Sequence, residues 1–352
     1  MSESRAIDTP FPSHGRRHGI PAHFAWALAL GAGFMAFVAW DQSHWWLIKE
    51  DYAFGWLVPV FVLYVVFDRW PRILKALDAC RDAAPAPRWV RIALGGAVAL
   101  CLIWGVLWFL LGSFYRAGAG TSQPGTAAIT MGMAAIVLAL VFLNAPPSAD
   151  AAAGESGPDT ARAGADASPR SAIPLGALWR EPRVQLTALF LFPVLVWGIS
   201  APLVSAIESQ VSLFLLRRVV TVVFFVFEIL GLPIEQQGNV LVLPKGSVGV
   251  ADACSGIRSL TACLFAGSFL GAVFLDRLWK KIGLVVAAMG FAFLTNLLRS
   301  LFLTGWAYHY GPDAITGTVH DAAGYAVLGL TCAGLLCLIP LFNLKIGPAV
   351  SQ

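Results

Sequence analysis

Three residues capable of nucleophilic, proton-transfer and anion-binding chemistry stand in separate apolar runs of this chain. They are Cys254 in ADACSGIRSL, Arg299 in TNLLRS and His320 in VHDAAGY. Cysteine attacks as its thiolate. Cys254 precedes a helix expected to start near Ser255, where unpaired N–H groups and the helix dipole favour an anion. A protonated histidine beside it favours the thiolate further, and His320 can then pass its proton to a leaving amine. Arg299 offers a permanent charge and several N–H donors for an oxyanion or a substrate carbonyl. Asn296, three residues earlier on the same helix face, can hold the guanidinium or add a donor. Gly256 lets a substrate backbone come close. Together these parts suit acyl transfer from a peptide bond through a thioester.

Each residue also has an ordinary reading. A cysteine at a helix start is usually inert packing, a histidine at a span end is usually interfacial, and an arginine there usually snorkels to head groups. Cys80, Cys101, Cys263, Cys332 and Cys337 read as small apolar packing residues. No Cys/His spacing suits a metal, so neither metal nor cofactor is expected. Arg258, one turn after Cys254, tunes the thiolate, binds substrate or makes a structural pair, and the sequence leaves these open. Asp252 is expected to cap or to point away, because a carboxylate beside the sulfur opposes thiolate formation. Asp321 orients His320 or caps the helix that follows; capping is the preferred reading.

The scaffold must bring these residues together. The chain has 352 residues, 58% hydrophobic and 12% charged, against roughly 25% charged in soluble domains. With a mean hydropathy of +0.72, this predicts an all-α polytopic membrane protein. A net charge of +4 gives no support for a nucleic-acid partner. The first apolar run, Phe24 to Trp40, is followed by DQSHWW and not by a small-residue cleavage site, so it reads as a retained span. About 20 apolar residues are needed to cross. Eight segments qualify, at roughly 24–41, 53–68, 92–113, 126–144, 185–205, 257–275, 282–304 and 320–342. The organisation predicted is a cytoplasmic tail (1–23), a four-span half (24–144), a disordered cytoplasmic linker (145–183) and a second four-span half (184–344) carrying the chemistry. Arg217 and Arg218 interrupt the apolar stretch after the fifth span, which reads as an amphipathic or re-entrant helix at the outer interface. NVLVLP and SVGVA then alternate around Pro244–Gly246 and predict a short extracytoplasmic β-hairpin before Cys254.

Basic residues set the orientation. With the N-terminus inside, inside loops carry 17 Lys and Arg and outside loops carry 5, which favours both termini in the cytoplasm. Span six then starts, span seven ends and span eight starts at the outer side. Cys254, Arg299 and His320 share that level, although the loop charges were counted without them. Intramembrane polar residues are costly and tend to mark function, so the coincidence raises the trio above its ordinary readings.

ADACSGIRSL, TNLLRS and VHDAAGY, in this order, resemble the motifs of the exosortase/archaeosortase family. EILGLPIEQQGNVLVLP is similar to that family's lead-in to its cysteine, and DYAFGWLVPVFVLYVVFDRW to an early segment of it. The resemblance spans about residues 45–342 without the linker. It implies an integral-membrane cysteine protease or transpeptidase of the bacterial inner membrane, its site facing the periplasm. Cys254, Arg299 and His320 fall on the catalytic positions; Ser255, Gly256, Arg258 and Asn296 are, on the reading of the residues above, supporting or substrate-binding candidates. The implied partners are exported proteins held in the bilayer by C-terminal sorting tails, of which PEP-CTERM is the best-known type. The acceptor is open. His320 matches the bacterial branch, since archaeal relatives often carry arginine there. Asp252 stands where many members have glutamate. Two other classes remain in view: a non-enzymatic transporter or lipid-binding scaffold, and a cysteine-dependent membrane acyltransferase.

Overall fold

The computed structural model describes residues 19–84, 86–146, 175–249 and 257–343. Among these, seven helices are long and apolar enough to cross a bilayer, as expected of a multi-pass, mostly helical membrane protein. The chain runs through α1 (Ala22–Ile48), a 3₁₀ segment (Glu50–Leu57), α2 (Val58–Asp82), α3 (Arg88–Ala119) and α4 (Gln123–Leu143). After a short α5 (Leu175–Trp179) come α6 (Pro182–Leu195) and its continuation α7 (Trp197–Ser200). Next are α8 (Ser205–Ile229), the strands β1 (Glu235–Gln237), β2 (Val240–Leu243) and β3 (Gly246–Gly249), and α9 (Ile257–Phe274). α10 (Leu278–Tyr310), a second 3₁₀ segment (Pro312–Ile315) and α11 (Thr318–Asn343) complete it. The upper end is defined here as the end where α1 finishes and α4 begins.

The expected sixth span is α9. Its apolar part, Ser259–Phe274, is shorter than the other spans. The charges at Arg69, Arg72 and Lys75 predict a second span ending near residue 68, yet α2 runs on to Asp82. Arg69 explains the difference. It is buried, donating from Nη1 to the Leu189 carbonyl at 2.7 Å and from Nη2 to the Ala272 carbonyl at 3.3 Å. A cation satisfied by carbonyls of α6 and α9 does not end a helix. Of the predicted linker, 147–174 lies outside the described residues, and its last part forms α5 and the start of α6.

The predicted hairpin is two strands of a three-stranded antiparallel sheet. β2 and β3 pair from Leu243↔Gly246 around Pro244–Lys245. β1 pairs with β2 around Gly238, whose positive φ of 64° suits a tight turn. Glu235-Gln236-Gln237 has no apolar alternation, so β1 left no signal in the sequence.

α1, the first 3₁₀ segment, α2, α4 and α6–α7 pack together through Phe24, Trp46, Tyr52, Ile73, Ile129, Leu186 and Trp197. α3 meets α4 through glycines: a Cβ added at Gly132 would lie 2.5 Å from the Phe109 nitrogen and 2.7 Å from the Gly105 carbonyl oxygen. Small residues permit such close backbone approach in a membrane. At the upper end several buried polar groups pair across helices. Gln42, fully buried, donates to Thr130 Oγ1 at 2.8 Å and to the Trp197 carbonyl at 3.0 Å, and accepts from Ser200 Oγ at 2.8 Å. Lys49 forms an ion pair with Glu208 at 2.8 Å, and Gln123 Nε2 donates to the same carboxylate at 3.0 Å.

These last contacts fix α8. Its first turn is tied to the ends of α1 and α4 through Glu208. Near its other end, Phe227 packs on Tyr308 of α10 with ring centroids 6.0 Å apart. Both ends of α8 therefore meet span ends at the upper end of the bundle. Its second half, Leu216 to Phe227, packs along α10 against Phe293, Leu297 and Tyr308, and α8 is not among the seven span-length apolar helices of the described residues.

Candidate active site

α10 supplies Asn296 and Arg299, and α11 supplies His320. Arg299 lies eleven residues before Tyr310, so about 16 Å of helix continues above it. The chain has to come back down for α11 to start beside Arg299. Gly311, at φ 94°, closes α10 with its N–H on the Ala307 carbonyl at 2.8 Å. The 3₁₀ segment then returns along α10, and Ile315 and Val319 pack on Leu303 and Ala323. The sheet sits on this corner: a Cβ at Gly246 would lie 2.8 Å from Pro312 Cγ.

The return brings Arg299 Nη2 to 2.8 Å from His320 Nε2. Gly324, one turn after His320, seats the guanidinium; an added Cβ there would lie 3.7 Å from Nη2 and 3.9 Å from Cζ. Arg299 Nε is buried and has no hydrogen-bond partner among the described residues. Asn296 is 6% exposed, and its backbone carbonyl accepts from Ser300 Oγ at 3.1 Å. Below them Thr331 Oγ1 donates toward Thr295 Oγ1 at 3.2 Å, joining α10 to α11.

α9 is held on two sides. Against α10, a Cβ at Gly267 would lie 2.8 Å from the Ala288 Cβ, and one at Gly271 3.5 Å from the Lys281 Cα. Counting from these antiparallel neighbours back to Ile257 places the start of α9 level with residues 295–298 of α10, within a turn of Arg299. On its other side α9 rests on the first half of the chain. Thr261 Oγ1 donates to the Asp51 carbonyl at 3.2 Å. Phe265 stacks on Phe54 and on Phe61, each at 5.3 Å, and Phe269 stacks on Phe61 at 4.2 Å. The first 3₁₀ segment and α2 thus form a wall behind the helix that follows the cysteine.

Of the residues singled out in the sequence, Arg299 and His320 are in contact and Asn296 lies one turn below on α10. Arg258 occupies the first turn of α9, with its side chain outside the description. Cys254, Ser255 and Gly256 lie outside the described residues, as does Asp252. Sequence reasoning missed Gly324, Thr261, Asp51 and the Phe54–Phe265–Phe61–Phe269 stack. A small residue one turn after His320 was the available sign of Gly324; the others carry none, since hydroxyls and aromatics are common in spans.

The family model described as transmembrane exosortase matches residues 45–337. The chain belongs to this family. The match runs from the end of α1 into α11 and includes the wall built by the first 3₁₀ segment and α2. No curated protein and no solved structure matches the chain.

Proposed function

We propose that this exosortase is an integral-membrane cysteine protease or transpeptidase that cuts C-terminal sorting tails, of the PEP-CTERM type, from exported proteins. Cys254 is the nucleophile, Arg299 the oxyanion and carbonyl donor, and His320 the proton carrier. The carrying observation is the 2.8 Å contact between Arg299 and His320 at the level where α9, the helix that follows Cys254, begins. Two cationic-type side chains inside an apolar bundle are expensive, and family membership supplies the reaction class for them. The Cys254 sulfur attacks the scissile carbonyl, and the oxyanion forms against Arg299. The C–N bond breaks as His320 protonates the leaving amine, which departs with the membrane tail. Water, or an acceptor amine or hydroxyl, then resolves the thioester. The excess of Lys and Arg in one set of loops supports a site on the periplasmic side of the inner membrane with both termini in the cytoplasm.

The test uses full-length enzyme co-reconstituted in liposomes with an exported protein carrying its sorting tail. Wild type should release the tail, while Cys254→Ala, Arg299→Ala and His320→Ala should not, at equal insertion. Tail release by Cys254→Ala at the wild-type rate would sink the proposal.

A further inference from the structure

A guanidinium has no acceptor atom, so every nitrogen of Arg299 can only donate. The Arg299 Nη2 to His320 Nε2 contact at 2.8 Å therefore makes Nε2 the acceptor. The neutral ring then carries its proton on Nδ1. In this arrangement His320 has no site for another proton: the Nε2 lone pair faces an N–H and Nδ1 is occupied. The guanidinium lies beside Gly324, where a Cβ would be 3.7 Å from Nη2. The remaining donor that stands out is Arg299 Nε, buried and unpartnered among the described residues. A buried donor without an acceptor is costly, so the guanidinium is poised for an oxygen that arrives with substrate.

We infer that Arg299 has a second task, resting on the reading above: it masks the His320 lone pair until a substrate carbonyl oxygen draws the guanidinium away. With Nε2 uncovered, the thiol proton of Cys254 passes from Sγ to Nε2 as the sulfur lone pair attacks the carbonyl carbon. The carbonyl π electrons move onto oxygen, opposite Arg299. His320 now donates from both nitrogens, so it repels the guanidinium and leaves Arg299 on the oxyanion. When the oxyanion collapses and the C–N bond breaks, the Nε2 proton goes to the amine nitrogen. Nε2 regains its lone pair and Arg299 returns to it. The base is thus switched on by the group that will be attacked, which protects the nucleophile from stray electrophiles between turnovers.

The two roles of Arg299 differ in sign. A guanidinium that only adds positive charge would help a thiolate form, and its removal would slow alkylation of Cys254. A guanidinium that masks the base would hinder it, and its removal would speed alkylation. The experiment alkylates substrate-free, full-length enzyme in liposomes with a membrane-impermeant maleimide and follows the Cys254 peptide by mass spectrometry. Arg299→Met keeps bulk and removes every donor. It is expected to alkylate at least 5-fold faster than wild type, and adding His320→Gln should remove the gain. An unchanged or slower rate overturns the masking. A second readout needs no substitution at Arg299: in ¹⁵N-imidazole-labelled wild type, the signals lost in His320→Gln should show a protonated Nδ1 and a bare Nε2, and a protonated Nε2 overturns it. Tail release by Cys254→Ala would instead sink the underlying reading, whatever the alkylation rates show.

Discussion

Substitution at Gly324 separates space from chemistry at the Arg299–His320 pair. A Cβ at this position would lie 3.7 Å from Arg299 Nη2 and 3.9 Å from Cζ, which is ordinary contact. Gly324→Ala should therefore keep the pair. It should also stabilise α11 slightly, because glycine inside a helix costs roughly 0.5–1 kcal/mol relative to alanine. Gly324→Val extends the side chain by about 1.5 Å. A Cγ directed at the guanidinium would approach Nη2 to about 2.2 Å, taking the 3.7 Å gap and subtracting that bond length. The stiff χ1 of valine in a helix leaves little room to turn both Cγ atoms aside. The guanidinium must then move by on the order of 1 Å, and a 2.8 Å hydrogen bond stretches past the useful range. Losing a hydrogen bond to a charged group costs about 1.5–3 kcal/mol, and a misplacement of this size can cost about 10²-fold in rate. Tail release in liposomes should stay within about 3-fold of wild type for Gly324→Ala and fall about 10²-fold for Gly324→Val, both variants inserting normally. Wild-type cleavage by the valine variant, or equal loss in both, would refute the reasoning.

Thr261→Val removes the hydrogen bond to the Asp51 carbonyl and should cost about 0.5–1.5 kcal/mol of stability, read as a lower thermal midpoint in detergent, with a larger relative fall in kcat than change in KM. Phe61→Ala empties the centre of the ring stack that backs α9 and should cost about 3 kcal/mol, with protease nicking near α9 as the check. Gly132→Val forces a Cβ onto the Phe109 backbone and should part α3 from α4; normal expression and an unchanged thermal midpoint would contradict the close packing of that pair. Glu208→Ala leaves Lys49 and Gln123 without their shared carboxylate and should loosen α8, seen as faster hydrogen exchange over its first turns than over its last.

Much of this architecture was legible because apolar surroundings make polar residues conspicuous. Arg299 and His320 stand out against their spans, and the loop charges alone put them at one level. Their contact is direct. Arg69 was misplaced into a loop because a charge in a span boundary reads as an exit, and nothing in the sequence reveals that carbonyls of Leu189 and Ala272 await it. Thr261 and Asp51 were silent for a related reason: a hydroxyl meeting a backbone carbonyl leaves no pattern in residue types. The sign at Gly324, a small residue one turn after His320, is weak because glycine is common in membrane helices, whether or not a guanidinium lies beside it. The first strand of the sheet was missed because its residues are all polar and its pairing depends on the turn at Gly238.

The central claim is that Cys254 carries an acyl group during the reaction. The direct measurement is an intact-mass and peptide-mapping analysis of wild-type enzyme quenched in acid during tail release. The account predicts an adduct with the mass of the substrate's N-terminal portion, mapped to the peptide holding Cys254 and released by neutral hydroxylamine, which cleaves thioesters. It predicts no such adduct in Cys254→Ala. An adduct on another residue, or tail release by Cys254→Ala without any adduct, would contradict it.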